Sequence, residues 1–116
     1  SGREHIRSGP IDQPIDELLL QSIVQDLPEN VWITFDIDGL DPSLCPSTGT
    51  PVPGGLSWRD ATSLLAAVGR SGRRIIGFDL CEIVPGSRRE GRNGLDEIVG
   101  ARLLYKLAGW LAATNE

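Results

Sequence analysis

Asp36 and Asp38 stand two residues apart where an apolar run stops, in Thr34-Phe35-Asp36-Ile37-Asp38-Gly39. In an extended strand, residues i and i+2 project from the same face. Two carboxylates brought together at the end of a buried strand repel each other unless a cation lies between them. The pair therefore predicts half of a metal site. Glu82 closes a second apolar run, Ile75-Ile76-Gly77-Phe78-Asp79-Leu80-Cys81. Open parallel sheets bind ligands beyond the carboxyl ends of their strands. If the two runs are neighbouring strands, the three acids meet in one crevice. Oxygen ligands alone suit magnesium, calcium or manganese, and imidazole supplied from elsewhere would favour manganese.

The elements that must position these acids follow from periodicity and punctuation. Residues 1–13 are polar and read as a lead-in loop. From Pro14 to about Leu27 the pattern is helical, with Ile15, Leu18, Leu19 and Ile23 on one face and Asp16 and Glu17 at the positive end of the dipole. Val31–Ile37 is nearly all apolar or β-branched and predicts a strand buried on both faces. Residues 39–56, with four prolines and four glycines, predict an ordered loop. Ser57 is a good N-cap for a second helix, Asp60 holds the capping-box position, and Ala61, Leu64, Leu65 and Val68 mark its apolar face. Gly69 is the expected C-terminal stop. A strand from Arg74 to Glu82, a loop from Val84 to Gly94 and a helix from about Leu95 to Leu111 complete the order, the last with Leu103, Leu104, Leu107 and Leu111 along one face.

Strands separated by helical crossovers make parallel, right-handed α/β units. Two strands are too few for a whole parallel sheet. With no methionine even at position 1, the chain is expected to be the C-terminal part, residues 1–116, of one larger domain. A formal net charge of −5 argues against nucleic acid as a partner, which demands concentrated positive charge. No apolar run approaches the ~18 residues of a membrane span. Arg70, Arg73 and Arg74, and likewise Arg88, Arg89 and Arg92, read as solvated turns. Cys45 and Cys81 lack zinc or redox spacing and predict reduced, partly buried thiols in a cytoplasmic protein.

The run Thr34–Asp38, followed by Pro42, Pro46, Ser47 and Gly55, resembles a signature of the arginase/agmatinase ureohydrolases. Glu82-Ile83-Val84-Pro85 is similar to that family's Glu-Val-Asn-Pro segment, and Gly100–Leu107 resembles the last helix of its bacterial members. The resemblance runs from about Pro14 to the C-terminus and implies a three-layer α/β/α fold with a dinuclear manganese centre. Asp36 would bridge both ions and Asp38 would bind one, which makes these the catalytic pair. Glu82 would hold the cationic guanidinium of a small guanidino or amidino substrate, and Thr50 would line the pocket. The implied reaction is hydrolysis of a guanidino or amidino carbon–nitrogen bond, in a homo-oligomer. The family's other ligands, a histidine and an Asp-x-His-x-x-x-Asp segment, have no counterpart here. His5, the one histidine, reads as a surface residue.

Plainer readings accompany each residue. Asp36 and Asp38 could cap the following loop, and Glu82 could be a solvated strand-end acid. Asp79 is either an acceptor behind a ligand or an ordinary buried hydrogen-bonding group. Trp32, Trp58 and Trp110 read as core or interface anchors. Phe35–Gly39 also resembles the Asp-x-Asp motif of haloacid dehalogenase-like phosphatases, but Leu40 stands where that family has threonine, and the one lysine is Lys106. A third possibility is an inactive ureohydrolase remnant.

Overall fold

Asp16, extended in its backbone, accepts a hydrogen bond from the Leu18 amide at 2.9 Å and so caps α1, Glu17–Gln25. The computed structural model describes residues 16–46, 48–49, 53–83 and 94–116. His5, Thr50 and the arginines at 88, 89 and 92 lie outside the described residues. In α1 it is Leu20 that is buried, while Leu18 is 72% exposed, so the inward stripe is rotated from the predicted one.

The helix α2, Trp58–Gly69, begins as its sequence predicts, with the Ser57 hydroxyl accepting from the Asp60 amide at 3.0 Å. Ala61, Leu65 and Val68 are buried on its inner face. Gly69 does not stop the helix through a left-handed backbone; Gly72, with φ of 85°, makes that turn. Gly69 serves packing instead, because a Cβ there would fall 2.1 Å from Trp110 Cε3. The helix α3, Leu95–Thr114, buries Val99, Gly100, Leu103 and Leu107, whereas Leu104 is 41% exposed and lies off the predicted stripe.

The two strands, β1 (Asn30–Asp36) and β2 (Arg74–Cys81), pair in parallel, as expected. Val31 pairs with Ile75 but Trp32 with Gly77, so Ile76 forms a bulge. That extra residue corrects the face of everything after it. Ile33 and Phe35 then join Phe78 and Leu80 against the helices, while Trp32, Thr34 and Asp36 pair with Gly77, Asp79 and Cys81.

Two apolar clusters form the core. One joins Ile37, Leu40, Cys45 and Leu56 to Ala61 and Leu65 of α2 and to Leu103 and Leu107 of α3; the other joins Val31 and Ile75 to Val68. Among the described residues the helices cover one sheet face. The prediction that β1 is buried on both faces is therefore corrected: burial alternates along it, and Trp32 is 60% exposed. Trp58 and Trp110 pack on the core. The arginine cluster is engaged rather than merely solvated. Arg70 lies 5.6 Å over the Trp110 ring, Arg73 Nε donates to the Leu27 carbonyl at 3.3 Å, and Arg74 Nε donates to Asn115. No helix among the described residues is long and apolar enough to cross a membrane.

Candidate active site at the strand ends

The ladder ends with Asp36 opposite Cys81, which brings Asp36 and Glu82 to the same end of the sheet. Asp36 is exposed there. The chain then coils into a single 3₁₀ turn, Ile37–Gly39, with Ile37 fully buried and Asp38 7% exposed. Strand alternation thus stops at Asp36 and does not set the direction of Asp38. The two carboxylates are neighbours in chain but differ in environment, one open to solvent and one enclosed.

The loop after them closes tightly on itself. Asp41 N–H donates to the Leu56 carbonyl at 2.8 Å and Leu56 N–H to the Gly39 carbonyl at 2.9 Å, forming a short parallel bridge. Gly55 permits this approach, since a Cβ would lie 2.6 Å from the Leu40 carbonyl oxygen. Asp41 starts the turn by accepting from the Ser43 amide at 3.1 Å and from its hydroxyl, the bond that chiefly holds the Asp41 carboxyl below its usual range. Cys45 is fully buried and its Sγ lies 3.3 Å from the Ile37 carbonyl oxygen, to which the thiol donates. Burial first, then the charges of Asp96, Asp38 and Asp41, push this thiol up to about 11. It therefore stays a neutral donor between β1's turn and the loop.

Thr48, 5% exposed, donates its hydroxyl to the Glu82 carbonyl at 3.1 Å. Glu82 has a φ of 69°, the one positive value on a non-glycine among the described residues. Such a conformation costs about 1–3 kcal/mol and is held only where the surroundings impose it. Neither Thr48 nor Cys45 was singled out as functional from the sequence. Their partners lie 34 and 8 residues away, and no local pattern reports such contacts.

Asp79 is half-buried rather than buried: its carboxylate accepts from Trp32 Nε1 at 2.9 Å, Thr34 Oγ1 at 3.2 Å and Cys81 Sγ at 3.5 Å. The Trp32 bond leads in holding its carboxyl low. Cys81, predicted partly buried, is exposed. Its thiol is pushed upward, first by the bond to Asp79, then by partial burial and the charges of Asp79, Asp36 and Glu82.

Carboxylates are the right donors for a hard divalent cation. Their number is short: among the described residues no three His, Cys, Asp or Glu side chains cluster to hold a metal ion. A complete centre needs further ligands.

Comparison with known proteins is consistent with this partial character. The chain is 40% identical over 106 residues to the N(1)-aminopropylagmatine ureohydrolase of Thermus thermophilus, covering 85% of this chain and 32% of that protein. It is 39% identical over 84 residues to the agmatinase of Chromobacterium violaceum, covering 72% of this chain and 24% of that one. The chain thus spans about a third or less of the curated relatives it matches. Its fold superposes on the proclavaminate amidino hydrolase of Streptomyces clavuligerus with a TM-score of 0.71 and 31% identity, covering 82% of this chain and 30% of that structure. The sequence profile of the Arginase family matches residues 3–109, and the chain belongs to that family.

Proposed function

We propose that this chain carries the carboxylate side of a ureohydrolase active site that hydrolyses the guanidino carbon–nitrogen bond of an agmatine-like amine. The observation that carries the reading is the register: Asp36 ends β1 opposite Cys81, so Asp36 and Glu82 share the carboxyl end of one parallel pair. The names of the relatives, an aminopropylagmatine ureohydrolase and an agmatinase, support the substrate class.

In this reading Asp36 and Asp38 supply oxygens to a manganese pair whose remaining ligands lie on polypeptide outside these 116 residues. When bound, such ions acidify water and polarise the group under attack. Asp36, exposed at the strand end, would be open to the ions, whereas Asp38, enclosed in its turn, offers a carboxylate with restricted motion. Glu82 accepts two parallel N–H bonds from the planar guanidinium and fixes the orientation of its carbon. Thr50, outside the described residues, would contact the substrate, as the family resemblance implies. One water is consumed, the bond between the guanidino carbon and the alkyl-bearing nitrogen breaks, and urea leaves with a protonated alkylamine. The assembly is a cytoplasmic homo-oligomer. The phosphatase alternative is disfavoured by family membership and by Lys106, which stands exposed within α3.

Urea release from agmatine by the full-length, manganese-loaded protein tests the proposal. Stoichiometric urea and amine are expected; phosphate-ester hydrolysis without urea would overturn it.

A further inference from the structure

We infer that Thr48 is a positioning residue for the Glu82 carboxylate, its hydroxyl holding the Glu82 carbonyl and so setting the direction from which that side chain meets a guanidinium. This rests on the reading of Glu82 as the guanidinium binder and adds the residue that orients it.

The ladder ends at the pair Asp36–Cys81, so among the described residues no strand partner fixes the backbone of Glu82. Its φ of 69° is one that a residue with a Cβ leaves unless it is held. Thr48 provides the hold from a buried position 34 residues earlier in the chain, at 3.1 Å. The holder is itself anchored: Thr48 N–H donates to the Cys45 carbonyl at 3.2 Å, and the Cys45 thiol donates to the Ile37 carbonyl at 3.3 Å. One loop therefore grips the residue that follows β1 and the residue that follows β2.

Rotation about N–Cα carries the Cβ with it, so a carboxylate on a left-handed residue points elsewhere than one on an extended residue. A planar guanidinium forms two parallel bonds only with a carboxylate that meets it in its plane. Without the Thr48 hydroxyl, the Glu82 carbonyl loses its donor, the backbone relaxes toward negative φ, and the carboxylate swings off that plane.

The test uses the full-length, manganese-loaded protein and butylguanidinium as probe, with calorimetric affinity, KM and kcat for agmatine, and manganese content as readouts. Thr48→Val keeps the shape and removes the hydroxyl; Thr48→Ala does the same job should the valine variant not fold. Either is expected to weaken butylguanidinium binding about tenfold and to raise KM in proportion, with manganese content unchanged. Thr48→Ser, which retains the hydroxyl, should bind as wild type does. In a Glu82→Gln background, Thr48→Val should add no further loss, because it acts only through the carboxylate. Wild-type affinity in Thr48→Val, an equal loss in the Glu82→Gln background, or a serine variant as impaired as the valine one would overturn the inference alone. A wild-type protein that does not bind butylguanidinium would overturn the assignment of Glu82 and this inference together.

Discussion

The acids at the strand ends differ in what each can lose. Asp36 ends its strand exposed, whereas Glu82 sits on a strained backbone beyond the ladder. If Asp36 ligates metal and Glu82 only grips substrate, the Asp36→Ala variant of the full-length protein should lose manganese and urea release together. Glu82→Ala should keep its manganese while turnover falls by at least about a hundredfold, the scale of a charged hydrogen-bonded anchor. Metal analysis beside a urea assay checks both, and equal metal loss in the two variants would contradict the assigned roles. Cys45 offers a pH signature. Its folded pKa of about 11 lies above the ordinary 9.0, so the unfolded chain releases the thiol proton first as pH rises. Its contribution to stability is complete below pH 9 and is lost as pH climbs toward 11. Urea denaturation across that window should show stability falling with pH, and Cys45→Ala should flatten part of the slope.

At the scale of elements, close contacts decide what propensity does not. Alanine is the better helix former than glycine by about 1 kcal/mol. Gly69→Ala should nonetheless destabilise by about 1–3 kcal/mol, because its methyl would enter the Trp110 ring at the α2–α3 contact. Chemical denaturation measures it, and a gain in stability would show that Trp110 yields without cost. The 3₁₀ turn and the loop to Leu56 likewise depend on tertiary partners. The Leu40–Leu56 bridge, the Cys45 thiol and the Thr48 hydroxyl stitch that loop to both strand ends. An aperiodic run of proline and glycine announces a stiff loop and says nothing of which backbone atoms it will hold.

At the scale of the molecule, the described helices cover one sheet face, and among the described residues the opposite face presents Trp32 at 60% exposure above Gly77, where a Cβ would lie 2.2 Å from its ring. In the proposed complete domain, the third layer of the α/β/α fold covers this face. The 116-residue chain alone should then neither retain two manganese ions nor release urea, as titration and assay would show. Its Trp32 should be open to acrylamide quenching, and a Trp32→Phe control identifies the signal. In the full-length protein that quenching should be suppressed; unchanged accessibility would mean that the face is not a layer interface.

Much of this was legible in the linear chain because it depends on neighbours. Ser57 caps α2 through an amide three residues on, and the parallel order follows from strands interrupted by a helix. The signature around Asp36 identified the family because its residue types and spacing are local. What required the folded chain were effects between distant segments. The Ile76 bulge sets which side chains face the helices, and an all-apolar run hides it. The coil at Ile37–Gly39 cancels the alternation that a continued strand would impose on Asp36 and Asp38. The backbone of Glu82 turns left-handed where Thr48 meets it, since a hydrogen bond across 34 residues leaves no trace in either local sequence.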